Sequence, residues 1–122
     1  MPINQFRSAG PMTLNNYTEE DIERLRSSVS VENSKVKYIC FIKEVGESGT
    51  PHLQIYAQGT EKLSVKAWHE QLGDRVSNIV PTENVPVAIQ YCKGYKNGLP
   101  KPGSDLESAE EYGTPPRQGN RT

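Results

Sequence analysis

The chain has 122 residues and a formal net charge of −1, enough for one small domain with a modest core and too neutral for a strongly basic nucleic-acid coat. No stretch approaches the roughly 18 apolar residues of a membrane span, and the N-terminus lacks the pattern of a secretory signal. Two isolated cysteines, Cys40 and Cys92, form no disulfide framework and fit a reducing, intracellular compartment.

Residues 1–10 read as a polar arm. Met12-Thr13-Leu14, bounded by Pro11 and Asn15-Asn16, suits a brief strand that ends in a polar turn. Thr18-Glu19-Glu20-Asp21 starts a helix with a cap and an acidic first turn, and Ile22, Leu25 and Val29 give it one buried stripe. Val36 to Glu44 is the strongest strand signal: Ile39 and Phe41 share one face, while Val36, Tyr38, Cys40, Ile42 and Glu44 share the other.

Gly46-Glu47-Ser48-Gly49 makes a hairpin into Thr50-Pro51-His52-Leu53-Gln54-Ile55-Tyr56-Ala57. Strand alternation sends Leu53, Ile55 and Ala57 to an apolar face and His52, Gln54 and Tyr56 to the other. The hairpin brings Glu44 beside His52, on the face that carries Gln54. A histidine that opens a strand is by itself an ordinary surface residue; a carboxylate beside it makes a cation site worth considering.

A second helix comes next, capped by Ser64, striped by Val65, Trp68 and Leu72 and ended by Gly73, with His69 on its solvated side. Arg75 to Val80 is a weaker strand closed by Pro81. Thr82 to Gly94 reads as a third helix, with Thr82 or Asn84 as cap and Pro86 in its first turn. Tyr91 sits on the flank of its apolar stripe. From Leu99 onward proline, glycine and acids predict an extended or partly disordered tail.

Taken in order, Met12-Thr13-Leu14-Asn15-Asn16-Tyr17-Thr18, then Glu44 with Pro51-His52-Leu53-Gln54, then Tyr91-Cys92-Lys93 resembles the three motifs of rolling-circle replication initiators. The resemblance is to the N-terminal HUH endonuclease domain of the replication (Rep) proteins of circoviruses and related circular single-stranded DNA viruses, in the variant with glutamine for the second histidine. It covers residues 11 to about 98. Gly113-Thr114-Pro115-Pro116-Arg117-Gln118-Gly119 is similar to the segment immediately C-terminal to that domain in the family.

The resemblance implies an α+β fold, with an antiparallel sheet of about five strands flanked by helices. It implies a domain over residues 1–98 and a linker over 99–122 toward a helicase domain, for which this chain has no phosphate-binding loop. Metal ligands would be Glu44, His52 and Gln54, holding Mn²⁺ or Mg²⁺, and Tyr91 would be the nucleophile. Thr13, Leu14, Asn15, Asn16 and Lys96 would contact the DNA. The implied activity is nicking and joining of single-stranded DNA at a stem-loop origin through a 5′-phosphotyrosine, in the host nucleus and away from membranes. This domain would be monomeric, and oligomers would form through regions outside it.

Three departures stand out. The family's lysine three residues after the tyrosine is replaced by Gly94, with Lys93 favoured over Lys96 as its substitute. Met12 replaces an aromatic residue, and Ile55 stands where glycine is common. A rival reading from another class is a non-catalytic, RRM-like binding module that stacks bases on Tyr38 and Tyr56.

Overall fold

The computed structural model describes residues 4–116. It is an α+β fold whose four-stranded antiparallel sheet has the order β1-β3-β2-β6, with a separate two-stranded ribbon β4-β5. The elements are β1 (Gln5–Asn15), α1 (Glu19–Ser27), β2 (Val36–Val45), β3 (Pro51–Ser64), α2 (Val65–Leu72), α3 (Val85–Tyr91), β4 (Tyr95–Lys96), β5 (Leu99–Pro100) and β6 (Glu110–Gly113).

Local signals place the helices. Thr18 and Asp21 form a reciprocal capping box at the start of α1: each side chain accepts the other's backbone N–H, which satisfies two otherwise orphaned donors. Ser64 caps α2 by accepting from the Ala67 N–H, and Asn84 caps α3 by accepting from the Val87 N–H. His69 is half-buried, not solvated; its Nε2 donates to the Val76 carbonyl at 3.0 Å, just past the end of α2.

Alternation divides the sheet into two faces with different roles. Ile39, Phe41, Leu53, Ile55 and Ala57 join Ile22, Leu25, Trp68 and Leu72 of α1 and α2 in the larger core. Tyr38, Cys40 and Tyr56 pack on the opposite face against Ala88, Ile89 and Cys92 of α3. A register shift between Val36 and Tyr38 turns Val36 into the larger core, on the face opposite to Tyr38.

Three expectations are corrected. The arm is no arm: β1 begins at Gln5 and passes Gly10-Pro11 through an irregular register between Ala9 and Met12, which absorbs the missing proline N–H as a bulge. Residues 75–80 form no strand. They meet β1 at an isolated bridge at Ser77 and through single hydrogen bonds, from the Gly10 N–H to Val80 O and from Arg75 to Asn15 O, while Asn78 with a left-handed φ of 60° breaks the ladder. The sheet also continues beyond residue 98, since β6 pairs with β2 from Tyr38 to Phe41.

Charge pairs hold that last strand. Glu110 accepts from Arg26 Nε at 2.8 Å, and Glu111 accepts from the Tyr38 hydroxyl at 2.6 Å and pairs with Lys93 at 3.0 Å. The Arg26 hydrogen bond holds Glu110 below its ordinary 4.5, and the Tyr38 hydroxyl, then Lys93, does the same for Glu111. A lowered folded pKa stabilises the fold above the unfolded value, and that contribution disappears as pH falls through the folded value. The melting temperature should therefore hold from about pH 8 to about 5 and drop at more acidic pH. Replacing both glutamates with glutamine should flatten the acid limb in melts followed by circular dichroism.

Candidate active site

The site lies on the α3 side of the sheet, where the hairpin between β2 and β3 sets its register. Glu44 is paired directly opposite His52 across the two strands. Their side chains point to the same face, and His52 Nε2 lies 3.2 Å from Glu44 Oε1. Both are nearly enclosed, with side-chain exposures of 15% and 10% for His52 and Glu44, too dry for an idle surface pair.

The imidazole orientation is constrained from its far side. His52 Nδ1 lies 3.2 Å from the Thr50 carbonyl, which can only accept, a contact that suits the tautomer with the proton on Nδ1. Nε2 then faces a carboxylate oxygen that also only accepts. In that tautomer Nε2 and Glu44 Oε1 are two lone-pair donors side by side, a pair that a divalent ion can bridge. This is the donor arrangement of a hard-to-borderline divalent ion with one carboxylate and one imidazole.

Gln54 lies two positions along β3 on the same face and is 8% exposed. Its amide NH₂ donates to Thr13 Oγ1 at 3.2 Å, which leaves the amide oxygen for another partner. Thr13 is itself held by paired backbone hydrogen bonds with Ser77. The trio is therefore one carboxylate, one imidazole and one amide; among the described residues no group of three or more His, Cys, Asp or Glu gathers anywhere. The residues present fit Mn²⁺ or Mg²⁺ better than a thiolate-closed zinc site.

Tyr91 is the last residue of α3 and is half-buried. Burial, and next the Glu44 charge, push its hydroxyl above the usual tyrosine value, so it resists ionisation until a cation arrives. Glu44, Tyr91, Lys96 and Lys101 line a common cavity of about 470 Å³. The neighbouring thiols are inert: burial pushes Cys40 up to about 12 and drives Cys92 well above its ordinary range.

The lysine expectation is corrected here. Lys93 turns away to Glu111, whereas Lys101 enters the site. Its ammonium lies 2.5 Å from Glu44 Oε2 and 3.1 Å from the centre of the Tyr91 ring, and its side chain is 7% exposed. Backbone bonds from the Lys101 N–H to Gly94 O and from the Val45 N–H to Gly103 O lock the loop in place. Ser104 adds a hydroxyl to Glu44 Oε2 at 2.7 Å. Sequence reading missed Lys101 because it lies in a Pro/Gly segment with no periodicity; the only signal was its being a lysine within reach of a glycine-tolerant turn.

Of the proposed DNA contacts, Thr13 supports Gln54, and Asn15 is exposed opposite His52. Asn16 takes a left-handed φ of 54°, and its N–H donates to Pro51 O, a turn role. Leu14 contacts no ligand space, since it is 1% exposed in the larger core on the opposite face. Lys96 is exposed at the cavity mouth. Compared with known proteins, the chain matches no family model and no curated relative.

Proposed function

We propose that this chain is a metal-dependent endonuclease and joining enzyme for single-stranded DNA, of the rolling-circle initiator kind that its motifs resemble. The observation that carries the proposal is the convergence of Glu44, Tyr91 and Lys101 on one cavity with His52 3.2 Å from Glu44. A divalent ion held by Glu44, His52 and Gln54 would supply Lewis-acid polarisation of the scissile phosphate and neutralise its charge.

The chain's own residues account for the rest. The Tyr91 oxygen attacks phosphorus, forming an O–P bond as the bond to the 3′-oxygen breaks, and the phenolic proton leaves to solvent. The departing 3′-oxygen takes up a proton. The product is a 5′-phosphotyrosine that conserves the diester, so a free 3′-hydroxyl can reverse the step and join strands. Lys101 lies over the tyrosine ring, where its charge favours the developing phenolate. On the other side of Tyr91, an apolar groove of about 500 Å³ is lined by residues that include Pro11, Pro81, Thr82 and Val87, with room for a nucleobase.

The binding-module alternative needs exposed aromatic rings on the sheet. Tyr38 and Tyr56 are 1% and 0% exposed beneath α3, so neither can stack on a base. No described helix is long and apolar enough to cross a membrane.

The test is to mix the protein with labelled single-stranded origin-type DNA in Mn²⁺ or in EDTA and read denaturing gels. A cleaved strand and a covalent protein–DNA band only in Mn²⁺ are expected; binding without cleavage in every divalent metal would return the chain to the binding-module class. A second outcome concerns Thr13: Thr13→Val should keep the fold yet weaken Mn²⁺ affinity roughly tenfold, because the Gln54 amide loses its orienting partner. Calorimetric titration with Mn²⁺ measures it.

A further inference from the structure

The Lys101 ammonium is buried against Glu44 Oε2 at 2.5 Å, and that single contact does not use all three of its N–H donors. Such a group normally meets an acceptor it can point at. The acceptor it faces, Glu44, is also the sole carboxylate among the three candidate ligands, and its Oε2 already takes the Ser104 hydroxyl. The ammonium therefore cancels the one negative charge on which a divalent ion would draw. Two cations on one carboxylate repel, so the ion's affinity suffers while Lys101 stays. A phosphodiester entering the cavity offers what both cations lack, additional anionic oxygens.

We infer that Lys101 makes divalent-metal binding at Glu44 conditional on a phosphodiester. Without DNA, Lys101 is the counter-charge of Glu44 and the ion binds weakly. With DNA, a phosphate oxygen accepts the uncommitted Lys101 donors, Glu44 turns its charge to the ion, and the two ligands strengthen each other. The effect is reciprocal, so metal raises DNA affinity by the same factor. The lysine acts as a positioning residue joining the metal ligand to Tyr91. The inference rests on the proposed metal reading of Glu44, His52 and Gln54.

The experiment measures free Mn²⁺ by electron paramagnetic resonance, using the full chain carrying Tyr91→Phe so that no cleavage intervenes. Titrations run with and without a mixed-sequence single-stranded oligonucleotide of about ten nucleotides. Lys101 with its charge intact should show weak Mn²⁺ binding that the oligonucleotide strengthens about tenfold. Lys101→Met should bind Mn²⁺ about tenfold more tightly without DNA and lose most of the enhancement. Lys101→Gln serves as a second neutral variant should the methionine protein fail to fold, and Lys101→Arg should restore the weak, DNA-enhanced state.

If the neutral variants bind Mn²⁺ as weakly as the parent, with the same DNA enhancement, and Glu44→Gln abolishes binding, the Lys101 inference is overturned while the metal site stands. If no variant binds Mn²⁺ with or without DNA, the metal reading itself falls and takes the inference with it.

Discussion

Tyr91→Phe is expected to abolish the covalent protein–DNA band and strand cleavage while leaving the fold and DNA binding in place. Loss of a nucleophile that no other group replaces costs on the order of 10⁵-fold or more in rate. The ring can keep its contact with the Lys101 ammonium, because the 3.1 Å approach is to the ring centre and not to the hydroxyl. Melting temperature should therefore stay close to that of the parent protein. Cleavage that survived in the phenylalanine variant would show that water or another side chain attacks the phosphate, and would sink the tyrosine mechanism. Tyr95, half-buried in β4 and four residues on, is the internal control, since Tyr95→Phe should keep the adduct.

Gly94→Lys, which would place a lysine where the pattern that the chain resembles has one, is expected to damage the protein instead of improving it. Gly94 is buried with a left-handed φ of 102°, and an added Cβ would fall 2.9 Å from Ile42 Cδ1 and still closer to Leu106. Left-handed strain and overpacking together should cost about 2–4 kcal/mol. That lowers the melting temperature by on the order of 10 °C. Gly94→Ala should lose nearly as much, because the strain lies in the backbone and the first carbon. A fully stable Gly94→Lys protein with higher nicking activity would mean that this position, and not Lys101, is where the site wants its cation.

The two variants bear on one stretch of chain, the return that follows Tyr91. The chain between Gly94 and Ser104 turns back toward β2, with Lys101 N–H bonded to Gly94 O, Asp105 N–H to Lys43 O and an isolated bridge between Glu44 and Ser104. A glycine at position 94 makes that return possible by letting Leu106 and Ile42 close over the bare backbone. The return then carries a lysine into the space beside the tyrosine. The lysine beside Tyr91 is thus delivered by a loop and not by α3.

Much of the site was legible because it is local. Glu44 and His52 are eight residues apart, so a glycine-bearing hairpin and strand alternation were enough to set them opposite each other. Gln54 came from the same period, and the Thr18, Ser64 and Asn84 caps from side-chain chemistry within three residues. Leu14 enters the larger core and Thr13 reaches Gln54 for one reason: neighbours along a strand face opposite ways. The motif grouped them, and the pleat separated them.

The α+β class, the two faces of the hairpin and the placing of its carboxylate, imidazole and amide on one of them thus follow from residue order alone. The tertiary structure alone decided that β6 joins the sheet, that Lys93 serves Glu111, and that Lys101 reaches Glu44 and Tyr91. Ser104 meets Glu44 across 60 positions of chain, a separation over which propensity and periodicity carry no information. Contacts of that kind depend on how the whole chain packs, and an irregular Pro/Gly segment leaves no periodic trace of where its side chains will arrive.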